Sequence, residues 1–72
     1  MSRMKVSMEV KERSMILLEW VVEQGLPDDS KLVSKVYDEA RRRWGHLTSR
    51  YGLSQITKAT LGLLRARTAR SL

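Results

Sequence analysis

The only proline in this 72-residue chain sits inside a stop-and-start signal, Gly25-Leu26-Pro27-Asp28-Asp29-Ser30. Glycine takes the left-handed conformation that commonly closes a helix, proline cannot continue one, and Asp or Ser accepts the N–H groups that open the next. On both sides of this segment apolar residues recur at helical spacing, so an all-α, compact three-helix domain is expected. A chain this short holds one core, and with no Cys and a single His nothing covalent or metallic supplements it. Its apolar fraction of 42% is enough for a packed core and too high for a disordered chain.

The first helix is expected over residues 8–24. Ser7 is a suitable N-cap, Glu9 and Glu12 suit the positive end of the helix dipole, and Gly25 closes the far end. Val10, Leu17, Leu18 and Val21 form its inner stripe, with Ser14 inside the stripe, Trp20 at its edge, and Glu12, Glu19 and Glu23 opposite. Met15, Ile16 and Val22 fall outside that stripe. They form a candidate protein interface, in a homodimer or against a larger partner, unless the other helices cover them. Met4, Val6, Met8 and Val10 also alternate with polar residues, which is a strand pattern. One basic strand ahead of two helices resembles the ribbon-helix-helix DNA-binding proteins over residues 3–44, the minor alternative for this chain.

Val33, Tyr37, Ala40, Trp44, Leu47 and Tyr51 keep a 4-3-4-3-4 spacing, and Val36 joins them. One helix over residues 30–51 is expected, because a continuous buried face offsets the roughly 1 kcal/mol cost of Gly45. A stop at Gly45 followed by a short separate turn is the alternative. Lys35 with Glu39, Asp38 with Arg42, and Glu39 with Arg43 are paired four residues apart, which supports a helix. Gly52 then closes the second helix and Ser54 caps a third, over residues 54–68. Leu53, Ile56, Thr60, Leu63 and Leu64 are its inner stripe, with Leu61 at the margin. Ser54, Gln55, Lys58, Gly62 and Arg65 lie outside. Residues 1–6 and 69–72 are expected to fray.

The net charge of +6 is unevenly placed. Residues 1–40 hold all eight acids against six bases, a net of −2, whereas residues 41–72 hold eight bases and no acid. Such segregation suits a polyanion, of which nucleic acid is the commonest, better than it suits a merely soluble surface. Ser, Gln, Lys and Arg on the outer side of the third helix are side chains that bond phosphates or base edges.

The run Leu47-Thr48-Ser49-Arg50-Tyr51-Gly52-Leu53-Ser54-Gln55-Ile56 resembles the turn of helix-turn-helix proteins, where a helix ends at glycine and a Ser- or Gln-led recognition helix begins. Leu47, Thr48, Tyr51, Leu53 and Leu61 occupy matching positions, and Lys58 stands where that family buries an apolar residue. With Ser34-Lys35-Val36-Tyr37-Asp38-Glu39 included, residues 34–64 also resemble the winged-helix domain that ends archaeal origin-recognition initiators, without a complete wing. The resemblance implies a recognition-helix role for Ser54, Gln55, Lys58 and Arg65. Arg41, Arg42, Arg50, Arg67 and Arg70 are further candidate nucleic-acid contacts from the charge pattern, and Arg43 is expected to pair with Glu39.

Trp20, Tyr37, Trp44 and Tyr51 lie on or beside apolar stripes and are expected in the core rather than stacked on bases. His46 is expected on the surface without a role. No Gly-rich phosphate loop, nucleophile with its base, or inward carboxylate pair is present, so no catalysis, cofactor or metal is expected. The N-terminus lacks the apolar run of a signal peptide and no segment is apolar enough to span a membrane, so a cytoplasmic protein is expected. Two classes of function remain. One is a double-stranded DNA-binding transcription regulator acting as a homodimer. The other is an accessory subunit of a larger polymerase, ribosome or viral assembly, docked through the first helix.

Overall fold

The computed structural model describes residues 8–71, with side chains placed through residue 68. Helix α1 spans Met8–Gln24, α2 Leu32–Trp44 and α3 Arg50–Ser71, and the described residues contain no strand. Ser7 and the first part of the alternating Met4 to Val10 pattern lie outside the described residues, and Met8, Glu9 and Val10 are helical.

The end of α1 follows from its sequence. Gly25 has φ +64° and donates its N–H to the Val22 carbonyl at 3.1 Å, while the Leu26 N–H reaches the Val21 carbonyl at 3.2 Å. These two bonds satisfy carbonyls at the helix end and turn Leu26 inward against the core. Asp29 then opens α2: its Oδ1 accepts the Lys31 N–H at 2.9 Å and its carbonyl accepts the Leu32 N–H at 3.1 Å.

Leu17 and Val21 of α1, Leu32, Val36 and Ala40 of α2, and Leu53, Ile56 and Leu61 of α3 form one core. Each larger aliphatic side chain there contributes about 1.5–3 kcal/mol. α3 packs against both other helices, and α1 and α2 touch each other least. Where α1 crosses α3 the buried side chains are small and hydroxylated. Ser14 donates to the Lys11 carbonyl at 2.8 Å, and Thr60 donates to the Ile56 carbonyl at 2.8 Å with the Ser14 carbonyl 3.4 Å away. The buried hydroxyls are thus satisfied while the two backbones approach closely.

The second half of the chain divides differently from the rhythm of its apolar residues. α2 stops at Trp44 rather than running to residue 51, which is the break at Gly45. Glycine lacks helix propensity, and Thr48 and Ser49 favour caps over helix interiors. Ser49 accepts the Gly52 N–H on its Oγ at 3.2 Å and the Leu53 N–H on its carbonyl at 3.0 Å, so Ser49 caps α3. Gly52 therefore sits in the first turn of α3, where a Cβ would collide with the Thr48 hydroxyl. Ser54, expected as the cap, lies one turn further on. The buried phase of α2 is Leu32, Val36, Glu39 and Ala40, which leaves Val33 exposed. Leu47 and Tyr51 are exposed because the chain leaves the helix before reaching them. On α3, Thr57 and Leu61 are buried and Leu63 is exposed, so the inner stripe is rotated relative to the expected one.

Candidate nucleic-acid interface

The turn between α2 and α3 carries a groove of about 740 Å³ lined by Tyr37, Arg41, Gly45, His46, Thr48, Arg50 and Leu53. It owes its form to the break at Gly45. Leu47 and Thr48 both return N–H bonds to the Trp44 carbonyl, at 2.9 and 3.2 Å, and this tight turn brings the last turn of α2 beside the first turn of α3. Arg41 and Arg50, separated by nine positions, thereby share one concavity with an imidazole and a threonine hydroxyl. No acid lines it among the described residues. Two guanidiniums, hydroxyl donors and the positive end of α3 suit a phosphate backbone.

Glu39, two residues before Arg41, is already neutralised. Glu39 is 10% exposed; its Oε1 accepts Arg42 Nε at 3.1 Å, and its Oε2 accepts Arg42 Nη2 and Arg43 Nε, each at 2.6 Å. The Arg42 hydrogen bonds, opposed by burial and reinforced by Arg43, hold its carboxyl at about 2, against an ordinary 4.5. Arg42 pairs with Glu39 rather than with Asp38, so part of its guanidinium is committed within the helix. Arg43 pairs with Glu39 as expected. The Arg13 guanidinium lies 5.6 Å from the Trp44 ring centroid, which fastens α1 to the end of α2.

Ser54, Gln55, Lys58, Arg65 and Arg67 are exposed along α3. Lys58 and Arg65 share one side, two turns or about 10 Å apart. Ser54 and Lys58 line a second groove, with Val33, Ser34, Tyr37, Asp38 and Thr57, where Asp38 supplies a negative charge. Arg65 Nη2 is 3.8 Å from Asp28 Oδ1, and both side chains are well exposed, so this contact contributes little. The Arg70 side chain lies outside the described residues.

Met15, Ile16 and Val22 are exposed on α1, as the stripe implied, but they do not form one patch. At helical spacing Met15 and Val22 lie within about 20° of each other and Ile16 about 100° away, with Glu12, Glu19 and Glu23 in between.

No protein-family model, curated protein or solved structure matches this chain. Its own residues therefore carry the functional argument. The described residues contain no group of three His, Cys, Asp or Glu side chains placed to hold a metal, and no helix long and apolar enough to cross a membrane.

Sequence reasoning missed three members of the corner. Tyr51, expected in the core, is 73% exposed, and Leu47 is 60% exposed. His46, assigned no role, lines the groove. The available signal was the pairing of Gly45 with Thr48-Ser49, which marks a helix end followed by a cap. Once the helix ends there, Leu47 and Tyr51 lose their places on the inner stripe. Trp44 and Tyr37 are half-buried against the core, as expected.

Proposed function

We propose that this protein binds nucleic acid, with Arg41 and Arg50 of the corner groove gripping the phosphate backbone and the exposed side of α3 lying along a DNA duplex. The observation that carries this reading is the convergence of Arg41, His46 and Arg50 in a concavity without acids, at the start of a helix that itself contains none. Lys58 and Arg65 extend the positive surface along α3, and Gln55 supplies a side chain able to bond a base edge. In this reading the protein is a transcription regulator, and a second copy joins through the Met15 and Val22 flank of α1.

Charge reversal of Lys58 and Arg65 to Glu tests it. Affinity for random-sequence duplex is expected to fall about tenfold or more at low salt while the far-ultraviolet circular dichroism stays that of the parent. Equal affinity for parent and variant at both low and moderate salt would overturn the placement of α3 on the duplex. The exposed Met15 and Val22 also favour a second reading, an accessory subunit docked on a larger nucleic-acid-processing assembly. Sedimentation separates the two: a stable dimer supports the regulator, and a monomer with little affinity for DNA supports the subunit.

A further inference from the structure

We infer that the corner between α2 and α3 holds an unpaired nucleobase on the ring of Tyr51, so that the site takes a single-stranded stretch of nucleic acid. This rests on the nucleic-acid reading above and adds the form of the strand at one end of the surface. Tyr51 stands in the first turn of α3, and its ring is nearly three-quarters exposed in a chain whose other three aromatic residues pack against the core. The ring is also held in place, because Gln55 donates its Nε2 to the Tyr51 hydroxyl at 2.8 Å and fixes the ring along the helix. An exposed aromatic ring held by such a bond is a stacking platform whose ordering has been met in advance.

The surroundings choose the partner. Arg50 precedes the ring in the chain and lines the groove at the same helix end with Arg41 and His46. Lys58 follows Tyr51 two turns on along the same side of α3, and Leu47 is exposed in the turn leading into that helix end. Apolar docking of a protein would use Leu47 and Tyr51 but would leave the basic groove at the same helix end idle. A strand uses both, with phosphates on Arg41 and Arg50 and one base unstacked onto the ring. A paired base inside a duplex offers only its edge to this ring, so the preference for unpaired strands resides in Tyr51 and the general affinity in the arginines.

The full chain and its Tyr51→Ala and Tyr51→Phe variants are titrated, by fluorescence anisotropy, into a mixed-sequence single-stranded DNA, the same sequence as RNA, and a blunt hairpin duplex with the same number of phosphates. A non-nucleotide linker closes the hairpin, so that it holds no unpaired base. Loss of one base–aromatic stack corresponds to about tenfold in affinity or more. Tyr51→Ala is expected to lose this on at least one of the single strands and less than about twofold on the hairpin. Tyr51→Phe, which keeps the ring, is expected to stay within about threefold of the parent. Which single strand shows the loss identifies DNA or RNA as the source. Equal losses on single strands and hairpin, or no loss anywhere, overturn the inference while leaving the nucleic-acid reading standing. Failure of the parent to bind any of the three overturns both. Tyr51 is mostly exposed, so Ala removes little packing, and circular dichroism of each variant checks that the helices persist.

Discussion

The two turns of this protein are opposites. Between α1 and α2, residues 25–31 carry Asp28 and Asp29, close α1 through the positive φ of Gly25, and tuck Leu26 into the core. Between α2 and α3, residues 45–49 carry no acid, lie beside Arg41, Arg42, Arg43 and Arg50, and leave Leu47 and then Tyr51 in water. A segment that only had to join two helices would have no reason to expose its apolar residues amid bases. Under the proposed function, the first turn serves stability and the second a ligand.

Charge reversal breaks this comparison most strongly. Arg41→Glu with Arg50→Glu is expected to lower nucleic-acid affinity by about two orders of magnitude at low salt, with the melting temperature within a few degrees of the parent. A large drop in melting temperature would instead make the arginines structural. Truncating the apolar residue of each turn gives the next largest contrast. Leu26→Ala is expected to cost about 1–2 kcal/mol in denaturant unfolding, because it empties a place against the core. Leu47→Ala is expected to stay within about 0.5 kcal/mol of the parent. Equal costs would erase the distinction between the turns.

The smallest effect concerns Glu39, which neutralises part of the basic cluster. Its carboxyl is held at about 2 in the folded protein against an ordinary 4.5. The stability it contributes is therefore present above about pH 4.5 and is lost as the pH falls from there toward 2. Because the Arg42 side chain is 70% exposed and screened by solvent, this contribution is about 1 kcal/mol. Glu39→Gln is expected to flatten that acid limb in urea melts at several pH values, while an unchanged limb would show that the arginine contacts on Glu39 do not stabilise the fold.

The same contrast explains what could be read from the sequence. The first turn was legible because Gly25, Pro27 and Asp29 act locally, and each constrains the backbone within a few residues. The three-helix architecture was legible for the same reason, since the stripes of α1 and α2 repeat at 3.6 residues. The second turn was misread because Gly45 and Gly52 look alike in sequence and the 33-to-51 rhythm runs through both. What decided between them was non-local: α2 buries Leu32 and Val36 rather than Val33, and Ser49 gains a role as a cap only once α3 begins at Arg50. Lys58 and Arg65 kept their expected outward positions on α3. Arg41 and Arg50 were both candidates from charge alone, but their convergence with His46 needed the turn.

The claim that this acid-free corner grips a nucleic-acid backbone is tested most directly by the salt dependence of binding. Each phosphate contact contributes about 0.9 to the slope of log affinity against log salt on a duplex and about 0.7 on a single strand. The parent chain is predicted to bind with a steep negative slope, and Arg41→Ala with Arg50→Ala to bind with a slope shallower by about one and a half to two. Identical slopes for the parent and the double variant, or affinity that does not change with salt, would contradict it.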